Sequence, residues 1–134
     1  HLFHISATRQ QVYEAISTID GLANWWTAQT TGTSNIGDTI AFRFGTVGPD
    51  FKVTGLIANT DATMECTAGF PDWLGTTLSF HLDENEGKTR VRFTHDGWKE
   101  TGDHYAACCF SWGRYLESLR QLCQTGTGAP FGKQ

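Results

Sequence analysis

The sequence predicts an α+β domain in which a curved antiparallel sheet of about six strands wraps around one long C-terminal helix, with two short helices after the first strand. Two patterns support this prediction. Between Asp38 and His95, apolar and polar residues alternate in segments that turn residues separate, as in half-buried strands. From His104 to Cys123, apolar residues recur every three or four positions, as in a helix with one apolar face. We therefore expect the helix to cover the apolar face of the sheet.

The N-terminal segment predicts one strand and two short helices. Residues 2–5 form a short apolar strand, and Thr8 with Gln11 three positions later is a capping box that starts a helix. The apolar stripe of this helix ends where Asp20-Gly21 breaks the spacing. A second, very short helix is expected over residues 22–26 and carries the tryptophan pair at 25 and 26.

The strands of the meander are expected to direct their apolar side chains toward the helix and their polar side chains toward water. The inward set is Ile40, Phe42, Phe44, Phe51, Val53, Ile57, Met64, Cys66, Ala68, Leu78, Phe80, Leu82, Val91 and Phe93. On the polar face, Arg43, Arg90 and Arg92 are expected to form exposed cross-strand ion pairs. Asp103 is the expected N-cap of the final helix, whose roughly 20 residues would extend about 30 Å and cross the sheet.

Length and composition limit the number of domains and the classes of partner. The 134 residues fit a single domain over 1–134, and residues 125–134, rich in Gly, Thr and Pro, predict a loose tail. Aromatic residues make up 13% of the chain, which excludes a disordered protein. The net charge is −4 and the basic residues are scattered, which argues against nucleic acid and anionic membranes as partners. No apolar run approaches the roughly 20 residues of a membrane span.

The cysteines and histidines predict neither a disulfide framework nor a metal site. Cysteines stand at 66, 108, 109 and 123 without C-x-x-C spacing, which is typical of reduced thiols in a protein interior. Since the chain also shows no basic segment followed by an apolar leader, we expect a soluble, unexported, cytoplasmic protein. His95 continues the inward alternation whereas His81 belongs to the polar face, so the two rings should not converge on a metal. No cofactor is expected, because no glycine-rich phosphate loop follows a strand.

Several motifs give the chain a resemblance to a known superfamily. A first strand, a helix with Val12 and Ala15 at the polar-x-x-Val-x-x-Ala positions, and the Trp25-Trp26 pair occur in this order. Residues 88–98 contain the pattern Thr-x-Val-x-x-x-His-x-Gly, and Trp112 precedes two leucines of the final helix. Over residues 2–124 the chain resembles the START-like, helix-grip (Bet v 1-like, polyketide cyclase/dehydrase-like, SRPBCC) superfamily. The closest likeness is to its AHSA-type domains, the activators of heat-shock-protein ATPase.

This resemblance implies a cavity between the concave sheet and the final helix, with its mouth near the short helix and the loops. Segment 68–73 departs from the AHSA-type pattern, so we expect an individual pocket rim there. Bulky or polar side chains on the inner strands, the loops and the helix are the expected ligand contacts. They are Trp25, Trp26, Phe42, Phe44, Trp73, Phe80, Phe93, His95, Trp98, Tyr105, Cys109 and Trp112. Adjacent tryptophans on a helix differ by about 100°, so one of the pair at 25 and 26 should be core and the other a pocket lid.

Three functions are compatible with these residues. The leading hypothesis is a non-catalytic module that binds a hydrophobic or aromatic small molecule, lipid-like or polyketide-like. The second is a cyclase or aromatase type of enzyme in which His95, the single catalytic candidate, steers protons with Tyr105. The alternative for His95 is a histidine at the edge of the core, hydrogen-bonded to the backbone. The third function is an AHSA-type interaction module that contacts a chaperone or another protein, and the sequence gives no oligomeric state.

Overall fold

A computed structural model describes residues 1–99 and 102–132, and within these ranges the chain forms one antiparallel sheet of seven strands and three α-helices. The strands are β1 (Leu2–Ile5), β2 (Gln29–Gly32), β3 (Thr39–Arg43), β4 (Asp50–Ile57), β5 (Asp61–Ala68), β6 (Thr77–Asn85) and β7 (Lys88–Asp96). The helices are α1 (Arg9–Ser17), α2 (Ile19–Ala23) and α3 (Asp103–Thr125), and a 3-10 turn spans Pro71–Trp73. The sheet order is β1-β7-β6-β5-β4-β3-β2. The predicted α+β helix-grip fold is thereby confirmed.

The capping box at the start of α1 is confirmed. Gln11 N donates to Thr8 Oγ1 at 3.1 Å, and Thr8 N donates to Gln11 Oε1 at 3.0 Å. The second helix begins earlier than the sequence indicated, at Ile19, because Thr18 Oγ1 accepts from Gly21 N and caps it. The tryptophan pair therefore lies in the turn that follows α2 rather than on a helix.

The alternation of the meander holds except where a strand is irregular. A register shift between Val53 and Gly55 in β4 reverses which side chains point inward. As a result Leu56 is half-buried, whereas Ile57, which the sequence placed inside, is 60% exposed. Ala68 is also exposed, at the end of β5.

Two of the predicted cross-strand ion pairs form on the outer face of the sheet. Arg90 donates to Asp83 directly opposite on β6, at 2.8 and 2.7 Å, and Arg43 contacts Asp50 at 2.8 Å. The hydrogen bonds from Arg90 lower the pKa of the Asp83 carboxyl. Exposed pairs of this kind contribute under about 1 kcal/mol each, so they do not decide the fold.

Strand β2 adds a seventh strand to the six that the sequence indicated. Its sequence is Gln-Thr-Thr-Gly, and Thr30 alone is buried in it, so it has no apolar alternation to detect. It pairs with β3 along its whole length, from Gln29 opposite Arg43 to Gly32 opposite Ile40.

The final helix is longer and less deeply buried at its start than the sequence predicted. Its N-cap is Gly102, and Asp103 is its first residue instead of the cap. Its buried residues begin only at Trp112, so Tyr105, Cys108 and Cys109 in the first two turns are half-buried. The early turns of α3 thus extend past the edge of the core.

Residues of the predicted loose tail form hydrogen bonds with the rest of the domain. Phe131 N donates to Trp26 O at 2.9 Å, and Ala28 N donates to Phe131 O at 2.8 Å. Ser118 Oγ, buried on α3, accepts from Ala129 N at 2.7 Å. These backbone contacts leave no periodic signal in the sequence. The last two residues of the predicted tail, 133 and 134, lie outside the described residues.

We expect Gly128→Ala to destabilise the protein by about 1–3 kcal/mol, because a Cβ at this position would collide with the carbonyl oxygen of Asn24. Urea unfolding followed by tryptophan fluorescence measures this loss. Gly113→Ala is the matched control, since Gly113 lies within α3 with open space around its Cα. It should raise stability by about 0.5–1 kcal/mol. Equal effects of the two changes would contradict the packed tail.

Candidate functional site

An apolar pocket of about 200 Å³ lies where α3 crosses the end of the sheet and the 3-10 turn. Aromatic side chains from five parts of the chain form its walls. They are Trp26, Phe44, Phe70, Trp73, Trp112 and Tyr115. Cys108, Ser111 and Arg114 of α3 complete the lining. Because Ser111 and Arg114 are exposed, the pocket opens to solvent along the helix.

The rest of the space between sheet and helix is filled by aromatic rings. The Trp26 ring lies 4.2 Å from Phe42 and 4.8 Å from Trp112, centroid to centroid. Phe93 lies 4.6 Å from Trp112 and 4.9 Å from Phe80. Such spacings are those of directly packed rings. The pocket is therefore a small chamber at one end of a solid core, not a cavity that follows the whole helix.

The structure separates the predicted ligand contacts into three groups. Trp26, Phe44, Trp73 and Trp112 line the pocket, and Trp98 and Tyr105 line a second depression of about 220 Å³ at the start of α3. The other six line neither of these two spaces. His95 lies on β7 beside the core and Cys109 lies on α3, whereas four are core residues: Trp25, Phe42, Phe80 and Phe93.

The tryptophan pair differs from the expectation of one core residue and one lid. Trp25 is fully buried and its Nε1 donates to Ala15 O at 2.7 Å, whereas Trp26 is 3% exposed and forms an inner wall of the pocket. Trp73 is 6% exposed and is also an inner wall.

Sequence reasoning missed Phe70, Cys108, Ser111, Arg114 and Tyr115 as pocket residues. Four of them lie on α3 at spacings of three and four, beside the stripe that packs on the sheet. On a helical wheel these four residues lie together on one side of Trp112. Their position at the edge of the apolar stripe could therefore have predicted them as pocket residues. The position of Phe70 depends on the irregular loop before the 3-10 turn, and this loop has no periodic pattern from which the position could be predicted.

Arg114 is held at the rim of the pocket by its neighbour Tyr115. Its guanidinium carbon lies 4.8 Å from the centre of the Tyr115 ring, and Nη2 donates to Tyr115 OH at 3.0 Å. Glu117, one turn along the helix, is paired with Arg120 instead. Within residues 1–99 and 102–132, none of the salt bridges includes Arg114.

His95 stands behind the pocket wall with both ring nitrogens hydrogen-bonded. Trp112 Nε1 donates to His95 Nδ1 at 3.1 Å. Thr76 uses its hydroxyl proton on Trp73 O at 2.6 Å, so its oxygen accepts from His95 Nε2 at 2.8 Å. This pattern requires the neutral ring with the proton on Nε2.

Burial lowers the pKa of His95 to about 4, with Asp96 acting in the opposite direction. A second ring proton would place an N–H of His95 against the N–H of Trp112. The ring is therefore fixed as a neutral brace that connects β7 to the wall of the pocket. Its partners are side chains, whereas the sequence suggested backbone groups.

Two thiols of α3 stay protonated at neutral pH, Cys108 at the pocket and Cys123 near the C-terminal end of the helix. Burial raises the pKa of the Cys108 thiol, although the indole N–H of Trp73 acts against this rise. That N–H is buried and has no partner at full hydrogen-bond geometry in the described part of the chain. Burial also raises the pKa of Cys123, to about 11. Neither thiol has the depressed pKa of a nucleophile.

The second depression is held together by contacts between the 3-10 turn and the start of α3. His104 Nδ1 and Asp72 Oδ2 lie 2.7 Å apart, and Trp98 packs edge-on against Tyr105 at 5.3 Å.

Among the described residues, no three His, Cys, Asp or Glu side chains converge as a metal site would require. No helix described here is long and apolar enough to cross a membrane.

Comparisons with known proteins identify relatives of this chain. Residues 6–124 match the family model described as activator of Hsp90 ATPase homolog 1-like protein. No curated protein matches the chain. The solution structure of the Aha1 dimer from Colwellia psychrerythraea is 43% identical, with 96% of each chain covered and a TM-score of 0.88.

Two more distant structures have the same fold. The protein SSP2350 from Staphylococcus saprophyticus is 16% identical over 96% of this chain and 92% of its own, with a TM-score of 0.75. DynU16, a putative protein in the dynemicin biosynthetic locus, is 15% identical over 96% of this chain and 47% of its own, with a TM-score of 0.80. At these identities the likeness is one of fold alone.

We expect stability to decrease as the pH falls from about 6.5 toward 4, because unfolding lets His95 regain its ordinary affinity for a proton. The contribution of His95 is complete above pH 6.5 and its loss reaches at most about 3 kcal/mol near and below pH 4. Urea unfolding at pH 7, 5.5 and 4.5 measures it.

His95→Gln, which retains a donor and an acceptor, should flatten this dependence on pH. His81→Gln is the matched control, since His81 is an exposed ring beside Asp61, and most of the decrease should persist in it. If wild type and His95→Gln lose the same stability between pH 7 and pH 4.5, protonation of His95 is not the cause of the loss.

Proposed function

The chain belongs to the family of activator of Hsp90 ATPase homolog 1-like proteins, and from this premise we propose that it binds one small aromatic or apolar molecule in the pocket beside α3. The observation that carries the proposal is a chamber of about 200 Å³ with six aromatic walls. An apolar cavity of about 150 Å³ is known to accept one benzene molecule. A single ring or a small fused pair of rings is thus the matching size of ligand, smaller than a lipid or a polyketide.

The walls of this pocket are rigid because each also packs in the core. Trp26 and Trp112 are 3% exposed, and Trp73 lies 6.1 Å from Trp112 with nearly parallel planes. A ring of 150–250 Å² buried at roughly 25 cal/mol per Å² gains about 4–6 kcal/mol. Because binding also costs the ligand its translational and rotational freedom, the expected Kd is about 1 mM or weaker.

The proposal includes no reaction. Both nitrogens of His95 are occupied by Thr76 and Trp112, and the Cys108 thiol is protonated. These contacts favour non-catalytic ligand binding over proton transfer in the pocket. For this reason we prefer the binding hypothesis to the cyclase hypothesis.

A protein partner is a second candidate function, and the partner we propose is a second copy of this chain. The relative from Colwellia psychrerythraea, at 43% identity, is described as a dimer. In this chain Phe110 is 84% exposed on the outer face of α3, next to the exposed Ala106 and Ala107. Small residues beside one large ring allow two helices to approach closely, and an exposed apolar patch favours association.

For the pocket, we expect Ser111→Leu to weaken binding of indole or toluene at least tenfold, because the added side chain fills part of the space. Isothermal titration calorimetry measures the affinity, because indole itself fluoresces in the same band as the pocket tryptophans. Thr94→Leu is the control, since it adds the same side chain to an exposed position on the outer face of β7. No saturable signal with either compound in wild type would refute the pocket as a binding site.

To test self-association by sedimentation, we expect wild type to have twice the mass of one chain, which is 14.8 kDa. The Phe110→Glu variant should have the mass of a single chain. A charge in place of Phe110 would have to be desolvated in the interface, which is costly. Ile36→Glu changes another exposed apolar residue, 62% exposed, and should leave the dimer intact. At a chain concentration of about 100 μM, an interface of standard size is formed. A wild type that is still monomeric at this concentration would refute the dimer.

A further inference from the structure

The polar groups of the pocket lie together on one turn of α3. Ser111, Arg114 and Tyr115 are three and four residues apart, so their side chains share one face of the helix. The opposite walls, formed by Trp26, Phe70 and Trp73, are aromatic. A ligand that fills this space would have an apolar end and a polar end.

The polar end carries a positive charge that forms no salt bridge within the described residues. The residues that line the pocket include Arg114 but neither Asp nor Glu. The nearest acid along the helix, Glu117, is engaged with Arg120 through two hydrogen bonds, one of them 2.7 Å from Arg120 Nε to Glu117 Oε2. Those bonds lower the pKa of Glu117, as expected for a committed ion pair.

Arg114 is also positioned in advance. One nitrogen, Nη2, donates to Tyr115 OH at 3.0 Å, and the guanidinium lies over the Tyr115 ring at 4.8 Å. An arginine fixed over a ring loses less side-chain entropy when it binds an anion. Its remaining N–H groups have the fork geometry that matches a carboxylate.

On the basis of the proposed function, we propose that the pocket selects small aromatic carboxylates. The ring of the ligand packs against Trp26 and Trp73, and its carboxylate pairs with Arg114 and accepts from the Ser111 hydroxyl. One arginine balances one negative charge, which favours a monoanionic carboxylate over a dianionic phosphate. The charge-assisted pair should strengthen binding about tenfold over a neutral ligand of the same shape.

The test compares phenylacetate with phenylacetamide, which differ in charge but hardly in shape, by tryptophan fluorescence titration. In wild type we expect the acid to bind about tenfold more tightly, with the advantage reduced at high salt. In Arg114→Gln the two affinities should become equal, with the amide unchanged. Arg92→Gln, which removes an exposed arginine on the outer face of β7 away from the pocket, should retain the tenfold ratio.

The outcomes separate the two proposals. If both compounds bind wild type equally, or if the ratio persists in Arg114→Gln, the pocket binds rings without selecting acids and this inference is wrong. If Arg114→Gln weakens both compounds alike, Arg114 acts by packing and the inference is again wrong. If neither compound binds, and neither do the neutral rings indole and toluene, the proposed function fails as well.

Discussion

The contact between the rings of Trp26 and Trp112 is the constraint on which the rest of this structure depends. It joins the turn after α2 to the centre of α3 at 4.8 Å, and the same two rings reach the sheet through Phe42 and Phe93. Three separate parts of the chain thus meet in one aromatic cluster. Because aromatic rings bury large areas and add pairwise attraction, this cluster supplies much of the apolar burial in a small domain.

The same cluster determines where the aromatic-walled pocket lies. Rings fill the middle of the domain, and the aromatic-walled pocket lies beyond them, between Tyr115 and the 3-10 turn. Two further contacts keep that space open at a fixed size. His95 holds the Trp112 indole through its Nδ1, and the backbone of Phe131 closes the turn after Trp26. The fold therefore provides a small rigid chamber, which suits one ring better than a long chain.

The sequence predicted the core far better than the pocket, and the reason is physical. Phe42, Phe80 and Phe93 follow the two-residue period of a strand with one buried face, so their burial could be read directly. The tail and β2 are held by backbone hydrogen bonds, which any residue can make. The pocket depends on which rings touch across distant segments, such as Trp73 against Trp112, and periodicity carries no information about those pairs.

The division between core and rim also explains how this pocket could acquire a specificity of its own. Its aromatic walls are part of the hydrophobic core, so a change at Trp26 or Trp112 would cost stability before it changed a ligand. Ser111 and Arg114 are exposed, and substitutions at such positions usually alter stability by less than about 0.5 kcal/mol. The charge at the rim can therefore change independently of the fold. Under the proposed selection of aromatic carboxylates, the residue at position 114 would decide between neutral and anionic ligands, and the rings would set only the size and apolar character of the ligand.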